Sequence, residues 1–207
     1  CWDHPLPRTS QRRVLAAILA PRLTVGVVVG WNRSGKSELG AMSTVAAALG
    51  RDHVDVQCWA ALNGIDASTL PAAPCRVCAV ALTGPDSLAV LRPKLDRFLP
   101  RGATWHGRDG AGEAWVTLPG GTEIWCKSND QGARRFQGDA WAWLWVDEEC
   151  DEPVWNEARM RLADRQGRAV LTMTPLRGRS WIWRRYVDAP EAASSGERIE
   201  GSVREWQ

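Results

Sequence analysis

The sequence predicts an α/β domain: a mostly parallel central sheet with helices on both faces and a β-hairpin inserted into it. Three observations carry this prediction. Short apolar runs rich in β-branched residues alternate with stretches of helical spacing, the pattern of strands laid parallel between helix layers. The first run, Thr24-Val-Gly-Val-Val-Val29, ends in a glycine-rich loop that opens a helix. A later run, Trp141-Ala-Trp-Leu-Trp-Val146, ends in consecutive acids.

Taken in order, residues 1–9 are broken by proline, and Gln11 to Leu19 has the spacing of a short helix stopped by Pro21. The run from Thr24 to Val29 is continuously apolar, as in a strand buried on both faces. From Lys36 to Leu49 the residues Leu39, Met42, Val45, Ala46 and Leu49 recur at helical spacing, and Gly50 supplies a stop. Residues 51–75 show no clear period beyond a short element around Val54 to Leu62. Arg76 to Leu82 predicts a second buried strand, and Pro85 to Leu99 a helix carrying Leu88, Val90, Leu91 and Leu95. Glycines crowd residues 101–112. Ala114 to Leu118 and Thr122 to Cys126 form the hairpin, turning at Pro119-Gly120-Gly121. Trp141 to Val146 is a strand, Glu152 to Asp164 a helix and Ala169 to Thr172 a further strand. Ala189 to Ser195 is small and polar, as in a linker, and Arg198 to Trp206 reads as an isolated strand. The expected organisation is one domain over residues 1–188, with 189–207 as linker and the start of a C-terminal region.

The 207 residues suffice for one sizeable core, and a hydrophobic fraction of 44% with 24% charged residues excludes a disordered or fibrous chain. A net charge of +2 leaves nucleic-acid binding open, because that depends on a local patch. All but three of the 26 cationic side chains are arginine, the exceptions being Lys36, Lys94 and Lys127, so a lysine inside a glycine loop stands out. The six cysteines follow no signal-like start and are expected to be reduced thiols. Cys75-Arg-Val-Cys78 has metal-knuckle spacing without a second pair, and in a strand its two thiols would point to opposite faces. The three histidines, His4, His53 and His106, have no metal spacing.

Gly30-Trp31-Asn32-Arg33-Ser34-Gly35-Lys36-Ser37 fits the phosphate-binding loop: backbone N–H groups wrap the phosphates, Lys36 reaches the outer ones, and the Ser37 hydroxyl ligates Mg²⁺. Against this stands a glycine turn that merely caps a helix. Asp147 and Glu148 end an apolar strand, at the edge where parallel sheets bind ligands. Asp147 suits a Mg²⁺ contact, and Glu148, on the opposite side by strand alternation, suits deprotonating an attacking water. Without the loop upstream, such a pair would read as a solvated strand end. Together the two motifs predict a P-loop NTPase of the RecA/ASCE-like kind, with ATP and Mg²⁺ as cofactors. At Leu171-Thr172-Met173-Thr174-Pro175 a hydroxyl is placed to sense the terminal phosphate. Arg134 and Arg135 offer a charge-stabilising finger or a solvated pair, Arg33 competes for that role, and Gln11 is an adenine reader or a plain helix-start residue.

The order Gln11, VVVGWNRSGKSE, KSNDQGARRFQG leading into WLWVDEE, then LTMTPLRG, resembles the ATPase half of the tailed-phage terminase large subunit over about residues 2–187. The resemblance implies a motor that hydrolyses ATP to move double-stranded viral DNA into a procapsid. Its partners would be a homo-oligomeric ring, the portal and a small terminase subunit, in the host cytoplasm. It assigns Gly30 to Ser37 to phosphate, Asp147 to magnesium, Glu148 to the catalytic base, and Thr172 to Thr174 to coupling. Gln11 becomes the adenine reader and Arg134 or Arg135 a finger acting in trans. Members usually continue into an RNase H-like nuclease domain, for which this chain has no room, so nuclease activity is not expected of it. The alternative is a RecA-like domain of a DEAD-like helicase, which needs a second such domain. A GTPase is weaker: Asp109-Gly-Ala-Gly112 ends no apolar strand, and Pro93-Lys94-Leu-Asp96 lacks the Asn. A disabled nucleotide-gated module conflicts with the presence of Glu148, and a small-molecule kinase with the acid pair.

Overall fold

The computed structural model describes residues 9–21, 23–30, 33–107, 114–174, 178 and 180–188. The chain opens with α1 (Thr9–Ile18), then β1 (Val25–Val29) and, across the glycine-rich loop, α2 (Lys36–Leu49). Then come α3 (Val54–Asn63), β2 (Arg76–Ala81) and a helical stretch in which α4 (Gly84–Asp86) passes through a π-turn (Ser87–Leu91) into α5 (Arg92–Asp96). Three strands follow: β3 (Thr104–His106), β4 (Ala114–Thr117) and β5 (Glu123–Ser128). The chain continues with β6 (Trp143–Asp147), α6 (Glu152–Met160), β7 (Arg168–Met173) and α7 (Trp181–Trp183), the last running on as a π-turn to Asp188.

Among the described residues seven strands form one sheet in the order β1-β7-β6-β2-β5-β4-β3. The first five are mutually parallel, and β4 and β3 add on antiparallel through the hairpin. Strand alternation splits the core in two. Val77, Ala79, Trp143, Trp145 and Val170 face α1, α2, α3 and α5, whereas Val27, Val80, Leu144, Val146 and Leu171 face α6 and the 181–188 helix. That two-sided burial is why these strands read as continuous apolar runs. Helix α2 packs closely on the sheet because residue 40 is glycine: a Cβ there would overlap the Trp145 indole.

The predicted α/β architecture and hairpin are present. Residues 54–63, left loosely defined by the sequence, form a helix whose amino end is capped by the His53 ring accepting from Asp55 N–H. The helix expected through Asp164 stops at Met160 and continues as a 3₁₀ turn, Ala163–Arg165. β3 and the 181–188 helix have no counterpart in the sequence reading: β3 is only three residues long, and Trp181-Ile-Trp-Arg-Arg-Tyr186 alternates as a strand would. The expected linker and strand beyond residue 188 lie outside the described residues.

Two expectations about the cysteines are now decided. Cys75, just before β2, and Cys78 within it pack against opposite halves of the core. The expectation of six reduced thiols is corrected: Cys75, Cys78, Cys126 and Cys150 are free, but Cys58 is disulfide-bonded. A disulfide depends on the distance between two Cβ atoms, which spacing along the chain does not reveal.

A candidate nucleotide site at the strand carboxyl ends

The site is built where β1, β6 and β7 end side by side. The phosphate loop leaves β1 at Gly30, whose N–H donates to Met173 O at 3.2 Å, so the loop begins stitched to the end of β7. Trp31 and Asn32 lie outside the described residues. Arg33 (φ 65) and Gly35 (φ 89) take left-handed conformations and turn the loop into the first N–H groups of α2. Arg33 is exposed. Gly35 faces the Gln11 amide so closely that a Cβ would come within 2.5 Å of it, which brings α1 against the loop.

Lys36 is buried, and its Nζ donates to Thr174 Oγ1 at 3.0 Å. That hydroxyl in turn donates to Glu148 Oε1 at 3.1 Å, while Thr174 N–H donates to Glu148 Oε2 at 2.9 Å. Both carboxylate oxygens of Glu148 are thus held by one residue. Glu148 itself sits at φ 68, a conformation that costs a non-glycine residue free energy and recurs at functional sites. This corrects the expectation that strand alternation separates the two acids: β6 ends at Asp147, and a left-handed turn, secured by Glu148 N–H donating to Thr172 O at 2.7 Å, re-aims the next side chain.

Asp147 is buried on the other side of this network. It hydrogen-bonds the Ser37 side chain and accepts from Thr172 Oγ1 at 2.8 Å. Thr172 Oγ1 also accepts from the Trp145 indole N–H at 2.9 Å, so an indole fixes the hydroxyl that fixes the acid. Burial pushes the Asp147 carboxyl above its usual range, against the hydrogen bonds from Ser37 and Thr172. Burial likewise lowers the Lys36 ammonium, while Glu148 and Asp147 pull it back up. Lys94 on α5 also bears on both groups, lowering each.

The residues present fit a nucleoside phosphate with a metal ion. The Ser34 hydroxyl in the loop is buried with no hydrogen-bond partner among the described residues, a polar atom that a phosphate oxygen would satisfy. Among the described residues no group of three or more His, Cys, Asp or Glu is arranged to hold a metal alone. Ser37 and Asp147 instead offer one hydroxyl and one carboxylate, the partial set that suits Mg²⁺ completed by phosphate and water.

The hydrogen bonds join Lys36 with Thr174 and Glu148, and Ser37 with Asp147 and Thr172. Arg134 and Arg135 are exposed on the 3₁₀ turn Ala133–Phe136, which the buried Lys127 anchors by donating to Arg135 O at 2.5 Å. Sequence reasoning missed Trp145 and the division of labour between Thr172 and Thr174. The alternation Trp143, Trp145, Asp147 was visible, and it does put Trp145 on the face of the acid.

The sequence matches no family model and no curated protein. Solved structures do resemble it. The large terminase of a thermophilic bacteriophage, in complex with ADP, superposes with a TM-score of 0.61 at 17% identity, over 98% of this chain and 46% of that one. The same terminase in two further structures gives 0.62 at 16% identity, over 95% of this chain and 44% of that one, and 0.60 at 17%, over 96% and 46%. The chain shares its fold with these large terminase structures. It spans less than half the length of these structures. No helix among the described residues is long and apolar enough to cross a membrane.

Proposed function

We propose that the chain is the ATP-hydrolysing motor domain of a DNA-packaging terminase large subunit, which moves double-stranded DNA into a procapsid. The observation that carries this reading is the meeting at one sheet end of two hydrogen-bonded sets, Lys36–Thr174–Glu148 and Ser37–Asp147–Thr172, each drawn from opposite halves of the sequence. The fold shared with a terminase bound to ADP supports a nucleotide there, and favours this reading over the DEAD-like helicase.

In this reading the loop N–H groups, the Ser34 hydroxyl and Lys36 hold the phosphates. Ser37 and Asp147 would hold Mg²⁺, which would supply positive charge to the phosphates. Glu148 takes a proton from a water whose oxygen bonds to the terminal phosphorus as the bond to the ADP oxygen breaks, giving ADP and inorganic phosphate. Thr174 ties the base to the lysine that grips the phosphates, so it is the hydroxyl that feels the loss of the terminal one. Thr172 orients Asp147 instead. Arg33, Arg134 and Arg135 are the candidates for the charge-stabilising finger, the last two across a homo-oligomeric ring, and Gln11 is the candidate adenine contact. DNA, the portal and the small subunit are partners on this same reading.

The test is phosphate release by the purified chain with ATP and Mg²⁺, beside titration of a fluorescent ATP analogue. Glu148→Gln is expected to bind the analogue normally and to lose turnover by about 10²-fold or more, whereas Lys36→Ala weakens binding itself. Parental turnover in Glu148→Gln would remove the base assignment, and no ATP binding by the parent would remove the reading.

A further inference from the structure

Lys36 has a role in the nucleotide reading and Lys127 anchors the turn that bears the two arginines, which leaves the third lysine. Lys94 lies on α5, whose rotation is fixed by Leu91 and Leu95, both buried in the core beneath α2. Three residues further along, Arg97 forms an ion pair at 2.6 Å with Glu38, in the first turn of α2. Residues three apart share a helix face. Lys94 therefore leaves α5 on the side turned toward the amino end of α2, where the loop delivers Lys36 and Ser37.

Its neighbours are committed: Arg92 pairs with Asp96 and Arg97 with Glu38. Lys94, partly buried, forms no ion pair or hydrogen bond among the described residues. α5 follows β2, the strand that pairs with β6, so Lys94 approaches the loop from the side of the strand end that carries the candidate base, and thus toward the end of the nucleotide where hydrolysis takes place. Arg33, Arg134 and Arg135 are all exposed, so Lys94 is the better sheltered cation.

We propose that Lys94 is a second phosphate-binding cation of this site, supplied by the same chain from α5, which engages the terminal phosphate and makes the site prefer a nucleoside triphosphate to a diphosphate. This rests on the nucleotide reading above. A lone ammonium in a partly desolvated position interacts strongly with a phosphate that adds charge, and a diphosphate lacks that group.

The experiment measures equilibrium binding of ADP and of the slowly hydrolysed ATPγS, with Mg²⁺, to the parent chain and to Lys94→Ala, Lys94→Gln and Lys94→Arg. Lys94→Ala is expected to weaken ATPγS by about tenfold or more while ADP changes by less than about twofold. Lys94→Arg should keep most of the triphosphate preference, which a merely structural role would not predict. Lys94→Gln keeps the length and packing of the side chain and gives the same selective loss should the alanine variant fold poorly. Equal weakening of both nucleotides, or no change in either, overturns the role of Lys94 while leaving the nucleotide reading intact. Failure of the parent to bind either nucleotide overturns both.

Discussion

At the carboxyl ends of β1, β6 and β7 Lys36 and Glu148 face one another through a shared hydroxyl with Asp147 buried beside them, whereas at the amino ends of β2, β5, β6 and β7 Arg76 and Arg168 are tied to structural partners. The amino-end cavity, of about 710 Å³, is lined by Arg51, Arg76, Arg165 and Arg168, and by size and charge alone it would look like the binding site. Arg168 and Arg76 are engaged elsewhere. Arg168 donates to the carbonyls of Ala20 and Pro21 at 2.8 and 2.9 Å, closing the connection between α1 and β1. The Arg76 guanidinium lies 4.9 Å from the Trp125 ring centre and 5.0 Å from that of Trp141, and pairs with Asp139 at 3.3 Å and Glu123 at 3.4 Å. Asp139 also receives Lys127 at 3.1 Å. At the carboxyl end, by contrast, a buried acid sits above its usual range and a buried lysine below. Charge left incompletely compensated marks a site more reliably than cavity volume, because a protein has no structural reason to tolerate it.

Opposite signs of effect at the two ends would sharpen the comparison. The largest expected effect is at the carboxyl end. Asp147→Asn should lower ATP turnover by about 10²-fold or more, the loss of a principal charge-stabilising group, while raising the stability of the metal-free chain by about 1 kcal/mol. The gain has a defined pH dependence. The folded-state pKa of Asp147 is raised, so the cost of burying its charge is present at neutral pH and relieved as the carboxyl protonates. The advantage of the variant should therefore shrink on acidification, as followed by denaturant unfolding at several pH values. A variant less stable than the parent at neutral pH would show that the acid is structural.

At the amino end, Arg76→Ala should destabilise the chain by about 1–2 kcal/mol, discounted because the side chain is partly exposed, and leave KM for ATP unchanged. A selective loss of turnover with normal stability would break the contrast between the two ends. The smallest effect concerns Cys126 and Cys150, whose thiols are pushed up to about 12 by burial. Raised folded-state values mean that stability is fully present below the ordinary thiol range and falls as pH rises from about 9 toward 12. Alkylating reagents at neutral pH should label both only after unfolding. Prompt labelling of the native chain would mean these strand ends open.

How much was legible varied with how local the cause was. Helix α2 keeps the predicted bounds, Lys36 and Leu49, because its apolar spacing and the Gly50 stop are both local signals. The helix over residues 181–188 was invisible, since Trp181 and Trp183 are placed by their tertiary setting, with the Trp181 indole donating to Cys150 O at 2.8 Å. Thr172 and Thr174 looked equivalent in sequence. They separate only because one is the last buried pairing opposite Asp147 and the other lies beyond the strand, within reach of Lys36.

By itself the sequence determined the strand and helix alternation, the loop between β1 and α2, and the acids ending β6, because each depends on short-range period or on residue types needed at fixed spacing. The tertiary structure alone decided the strand order that sets β7 between β1 and β6, the turn that swings Glu148 onto Thr174, and the Arg97–Glu38 tie between the end of α5 and the first turn of α2. These are contacts between residues distant in the chain. They are chosen by which apolar faces bury one another, and periodicity along a single strand or helix carries no record of that choice.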